Sequence, residues 1–297
     1  VAGHAIRHPR VTETGEMAAL SLKMKIGTAY EENFSWAQAA GYWAGLVKSN
    51  PNSDVARCKF ADALTRVGAF ARAATEYRAA LDVNPDCAQA HRGLGAVSVI
   101  QRRWDEAVEH YEHAIRRHPD DVGAHAGLGI ALVGQDKLKE AENHLQRALS
   151  IDRGHAEVHN ALGRLRVKQK RLPDAASSFS KAVQLKPEYT EAHSSLGQVC
   201  LHLGEPREAA RHFERIIEFE PNNAKAYNSL GVAYAHEGDF EKAAASFARA
   251  IQLKPEFARA HVNMGQALFN TGKIAEAARY FERALQIEPG LRPAQVG

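Results

Sequence analysis

The chain has little of what most specialised chemistries require. Cysteine occurs three times in 297 residues, at Cys58, Cys87 and Cys200, with no CxxC and no metal-ligand spacing. The three thiols therefore read as small buried apolar residues, outside any disulfide framework or zinc site. No apolar run approaches the roughly 18 residues of a membrane span, so none is expected. Charge of one sign is lacking too. With 38 Lys and Arg against 35 Asp and Glu, the net charge is only +3. That gives no basic footprint for nucleic acid. Nucleophile elbow, P-loop, dinucleotide fingerprint and HExxH are all missing, and no carboxylate pair stands out. No catalytic residue, metal or cofactor is expected, and the chain does not read as an enzyme.

Aromatic residues are only 7% of the chain. Abundant alanine takes their place and favours close helix packing over bulky sheet cores. Seven prolines, Pro51, Pro85, Pro119, Pro187, Pro221, Pro255 and Pro289, fall on one 34-residue grid that only Arg153 interrupts. With proline as position 32, repeats begin at residues 20, 54, 88, 122, 156, 190, 224 and 258. Position 8 is glycine in seven copies and Ala61 in the other, and position 20 is alanine in all eight. Position 24 is Trp43, Tyr77, Tyr111, Leu145, Phe179, Phe213, Phe247 and Phe281.

Each type has a physical reason. Small residues at positions 8 and 20 let two helices approach, and the large residue at position 24 fills the space beside them. Proline at position 32 separates one hairpin from the next because it cannot continue a helix interior. Gly68, Gly204, Gly238 and Gly272 at position 15 suit a left-handed turn between the two helices. Phe34 holds that place in the loosest, first copy. Pro173 and Pro206 lie where a missing N–H at a helix start costs little.

These residues resemble the tetratricopeptide repeat family, whose pattern runs L-G-x2-Y, A-x3-F, P over 34 residues. The resemblance implies an all-α fold, a right-handed α-solenoid superhelix of antiparallel helical hairpins. It covers residues 20–291 as repeats 20–53, 54–87, 88–121, 122–155, 156–189, 190–223, 224–257 and 258–291. Residues 1–19 form a leader with the start of the first helix, where Thr12 or Thr14 could cap it, and 292–297 form a tail. The related pentatricopeptide repeats, which read RNA, have a spacing one residue longer, and the grid here never slips.

At 100° per residue, positions 3, 4, 7, 8, 10 and 11 of each first helix share one side and carry the repeated apolar residues. Positions 2, 5, 6, 9, 12 and 13 share the other side and vary between repeats. By the resemblance, that variable side lines a concave groove for an extended peptide or a helix. The candidate binding residues are Arg92, Asn160 and Asn228 at position 5, and Ile130, Arg164 and Gln198 at position 9. Val99, Val133, Val167 and Leu201 follow at position 12, Lys168 and His202 at position 13, and Lys225 and Arg259 at position 2. The mixture suits a protein or peptide partner with acidic and apolar residues. Two ligand patterns of the family fail residue by residue. The chaperone-tail clamp needs lysine at position 5 and asparagine at position 9, which no repeat has. The asparagine ladder of the O-GlcNAc transferase arm needs position 6, where only Asn263 fits.

Histidine recurs at position 4, as His91, His125, His159, His193 and His261. Each lies on a separate helix, and packed helices are roughly 8–10 Å apart. A shared zinc, needing ligands at about 2 Å, does not fit, so these read as half-buried structural rings. The pairs His155/His159 and His110/His113 have helical ligand spacing but no third ligand. Arg166 stands at core position 11 amid a basic run from Arg164 to Arg171; it is expected to snorkel or to find an acid, and if buried it needs a carboxylate or carbonyl partner.

The expected function is a protein–protein interaction scaffold. Two alternatives stay open. One is a self-assembling scaffold that associates through the last helix, which no polar capping helix follows. The other is the recognition arm of a larger enzyme or cytochrome, since the sequence begins at Val1. Few cysteines suit a reducing cytoplasm, and a periplasmic location stays open if an upstream signal was removed.

Overall fold

The computed structural model describes residues 10–33 and 35–290, with side chains from residue 20 onward except that of Asn33. Phe34, the N-terminal stretch with His4, His8 and Pro9, and the tail at 292–297 lie outside the described residues. Every regular element among the described residues is an α-helix, and the chain divides into two compact units between Ile151 and Asp152.

The first unit holds α1 (Arg10–Asn33), α2 (Trp36–Ser49), α3 (Asp54–Arg66), α4 (Phe70–Val83), α5 (Ala88–Ile100), α6 (Trp104–Arg117), α7 (Val122–Gly134) and α8 (Leu138–Ile151). The second holds α9 (Ala156–Lys168), α10 (Leu172–Leu185), α11 (Thr190–His202), α12 (Pro206–Phe219), α13 (Ala224–Glu237), α14 (Phe240–Leu253), α15 (Ala258–Asn270) and α16 (Ile274–Ile287). Within each unit successive helices pack as hairpins, and each hairpin packs on the next, which is the architecture of an α-solenoid. First helices of neighbouring repeats also adjoin: α3 with α5 and α5 with α7, then α9, α11, α13 and α15 in order. Thr12 and Thr14 fall inside α1, which starts at Arg10, so neither is its N-cap.

The small-residue rule holds at atomic scale. All eight position-20 alanines are 1% exposed or less. The position-8 glycines face the large residue of their own hairpin. A Cβ on Gly197 would lie 2.8 Å from the Phe213 ring, and one on Gly265 would lie 2.7 Å from that of Phe281. Burying each such ring contributes about 2–3 kcal/mol. Side-chain caps close several helix starts: Ser53, Asp121 and Asn223 each accept from an N–H in the first turn.

Among the described residues, position 15 of the turn between helices is left-handed in seven repeats. Gly68, Gly204, Gly238 and Gly272 have φ of 80°, 77°, 84° and 79°. Arg102, Asp136 and Lys170 hold the same place at 57°, 65° and 60°, where a Cβ is strained. Arg166 is half-buried, and its guanidinium donates to the Asp174 carbonyl at 3.1 Å and to the Ser178 hydroxyl. The carbonyl partner that a half-buried guanidinium needs is therefore present, in place of the expected acid.

Candidate functional site

The variable first-helix positions are not equally open. Arg92, Arg164, Lys168, Gln198, His202, Lys225 and Arg259 are exposed. Val99, Ile130, Val133 and Leu201 are half-buried, while Val167 is 40% exposed. Asn160 and Asn228 depart from the expected exposure, being buried at 4% and 7%. Position 5 turns partly toward the neighbouring first helix, so its side chain is covered there. The Asn228 carbonyl oxygen accepts from Asn263 Nδ2 at 2.9 Å, a bond across α13 and α15. Asn160 donates to the Tyr189 hydroxyl at 3.2 Å.

In the second unit, three successive repeat junctions each hold a cavity on this face. The first, about 330 Å³, is lined by Val167, Leu172, Phe179, Ser195 and Val199, with Arg164, Gln198 and His202 around them. The second, about 500 Å³, is lined by Phe213, Ile216, Ser194, Ser195, Ser229 and Phe257, with Gln198, Asn228, Lys225 and Arg259 among its polar groups. The third, about 60 Å³, is lined by Phe247, Asn263, Gln266 and His236. Each combines the position-24 phenylalanine of one repeat with the position-6 residue of the next. The apolar floor and polar rim are the makings of a side-chain pocket.

Charge distinguishes the middle cavity. Arg164 faces Glu191 at 3.3 Å, so its charge is already answered. Lys225 and Arg259 make no ion pair among the described residues, and they stand at position 2 of adjacent repeats. A carboxylate placed there would find two cations and several hydroxyl and amide donors against one like charge, Glu191, which Arg164 already engages.

The histidines form pairs that sequence spacing on one helix did not reveal. His91 meets His110, His125 meets His144, and His193 meets His212, each with Nδ1 to Nδ1 at 3.1 Å. The other ring nitrogen of each position-4 histidine lies near a loop carbonyl: Pro85, Pro119 and Pro187 for these three, at 3.2, 3.0 and 3.0 Å. A carbonyl only accepts, so that Nε2 carries the hydrogen, and the neutral ring's Nδ1 must accept from its partner. His110 and His113, which share helical spacing, both meet His91 on α5, the second by ring stacking with centroids 4.6 Å apart. The missed signal was histidine at position 23, nineteen residues after position 4. Burial lowers the pKa of His91, His110, His144 and His193, and takes His212 down to about 4.

The cysteines also depart from expectation. Cys58 is buried on α3, but its sulfur lies 3.6 Å from that of Cys87, the residue preceding α5. They are a facing pair that their 29-residue separation did not disclose. Among the described residues, no group of three or more His, Cys, Asp or Glu is arranged to hold a metal ion, and no helix is long and apolar enough to cross a membrane.

Comparison with known proteins places this architecture. Tetratricopeptide repeat models match residues 22–53, 58–122, 99–165 and 237–292. The model of the cytochrome c-type biogenesis protein H TPR domain matches residues 155–256. No curated protein sequence matches significantly. Among solved structures, MamA is 28% identical, with 55% of this chain and 95% of that one covered and a TM-score of 0.52. YrrB, described as a TPR protein with an unusual peptide-binding site, is 24% identical over 62% of this chain and 95% of its own, with a TM-score of 0.54. The pilF protein of Pseudomonas aeruginosa is 23% identical over 70% and 95%, with a TM-score of 0.61. The latter two likenesses concern the fold alone.

Proposed function

The chain belongs to the tetratricopeptide repeat family of interaction scaffolds, and we propose that its second unit holds an extended peptide carrying acidic and apolar residues. The observation that carries this reading is the cavity lined by Lys225 and Arg259, which make no ion pair among the described residues and outnumber its one acid, Glu191, next to the apolar cavity at Val167. An acidic side chain enters the first and an aliphatic one the second. A charge-assisted hydrogen bond contributes about 1.5–3 kcal/mol, so each contact is worth roughly tenfold or more in affinity.

Fluorescence polarisation with a panel of labelled peptides tests this, using alternating Glu and Leu, Lys and Leu, and Glu and Ser. The Glu–Leu peptide binds best, and Lys225→Glu with Arg259→Glu weakens it by about tenfold or more. Arg92→Glu, whose native partner is Asp121 at 3.7 Å, changes little. Equal binding of all three peptides, or no effect of the double charge reversal, overturns the reading.

A second reading is favoured by the match over residues 155–256: a recognition module that handles a cytochrome c-type polypeptide. Haem-free cytochrome c in the same assay tests it. Competition with the Glu–Leu peptide supports one shared face, and absence of binding removes this alternative.

A further inference from the structure

The first unit contains a thiol pair that peptide binding does not use. We propose that Cys58 and Cys87 are a reversible oxidation site, closed to a disulfide by a peroxide and reopened by a dithiol. Their sulfurs are 3.6 Å apart, near enough for one to reach the other after a small shift. The loop that carries Cys87 is fixed over α3. Asn84 donates to the Asp54 carboxylate at 2.8 Å, and the Cys87 N–H donates to the Asn84 carbonyl at 3.0 Å. The two thiols differ in environment. Cys58 is fully enclosed, whereas Cys87 is half-buried at the N-terminus of α5.

That asymmetry assigns their roles. The Cys58 hydrogen bond lowers the Cys87 pKa to about 6, with the Ala90 and Gln89 amides adding to it against the opposing effect of burial. Cys87, the more exposed of the two, is thus the readier thiolate, and burial favours the protonated form of Cys58. The Cys87 thiolate attacks one peroxide oxygen and the O–O bond breaks. This leaves a Cys87 sulfenic acid and, with one proton taken up, a water. The Cys58 sulfur then attacks the Cys87 sulfur: the S–S bond forms, the S–O bond breaks, and hydroxide leaves with the Cys58 proton as a second water. Two thiols are oxidised and one peroxide is reduced to two waters. The product ties α3 to the start of α5, the first helices of adjacent repeats.

Cys200 is an internal control, because burial pushes its thiol up to about 11. The full chain is treated with hydrogen peroxide, and its thiols are counted and mapped without reduction. The expected result is a fall from three free thiols to one, a cross-linked Cys58–Cys87 peptide, and full recovery with dithiothreitol. Iodoacetamide should label Cys87 at least about tenfold faster than Cys58 at pH 7, with a rate midpoint near 6. In Cys58→Ser, dimedone traps a sulfenic acid at Cys87 and no internal disulfide forms. In Cys87→Ser, Cys58 stays a thiol. Cross-links involving Cys200, over-oxidation of Cys87 with Cys58 left free, or no reaction at either thiol would overturn the proposal.

Discussion

In the first unit tyrosine stands at position 24 of two repeats, and glycine answers it at position 6 of the next. A Cβ on Gly93 or Gly127 would overlap the ring of Tyr77 or Tyr111. In the second unit the corresponding pairs are Phe179 with Ser195, Phe213 with Ser229, and Phe247 with Asn263, and each pair lines a cavity. The longer phenol reaches the next first helix and takes up the space that phenylalanine leaves open. Charge varies along the same face. Lys59 is answered by Glu31, Arg92 by Asp121 and Arg164 by Glu191, whereas Lys225 and Arg259 make no ion pair among the described residues. One repeat thus builds a filled face or an open one according to two positions.

The contrast can be broken from the first unit. Gly127→Ser drives a side chain into the Tyr111 ring and should cost about 3 kcal/mol, the upper end of ordinary overpacking. Adding Tyr111→Phe should return part of that, as urea unfolding would show. If the single variant is neutral, the tyrosine does not set the face. The reverse exchange acts on binding: Phe213→Tyr with Ser229→Gly should fill the middle cavity and weaken the Glu–Leu peptide about tenfold, or about 1.4 kcal/mol. Unchanged polarisation titrations would separate cavity from ligand.

Acid should affect both units, and the first, with two histidine pairs, more than the second with one. His212 is held near 4 against an ordinary 6.5. As pH falls below 6.5, the unfolded chain takes up that proton first. The neutral pair's contribution is therefore complete above 6.5 and drains away between 6.5 and 4. The urea midpoint should drop from pH 7 to pH 5. His110→Tyr with His144→Tyr, copying the Tyr280 that lies beside His261, should flatten much of that drop, and an unaltered slope would exclude the pairs as its source.

The smallest expected effect concerns the turns. Lys170→Gly in the second unit and Arg102→Gly in the first relieve a left-handed Cβ. Each should stabilise its unit by about 0.5 kcal/mol, the gain reduced by glycine's greater freedom when unfolded. A loss in thermal midpoint would show that the native side chains compensate through contacts.

The sequence by itself determined the hairpins, because their cause is local. Alanine at position 20, glycine at position 8 and proline at position 32 act within one hairpin or its closing loop, and a 34-residue period displays them directly. It also pointed to the face bearing Lys225 and Arg259. Only the tertiary structure decided which side chains meet between helices. Asn228 meets Asn263, Cys58 meets Cys87 and His193 meets His212 across 35, 29 and 19 residues. Those meetings depend on how one helix is rotated against its neighbour. Periodicity tells which side of a helix is inward, but a few degrees of rotation decide which of two adjacent positions is covered.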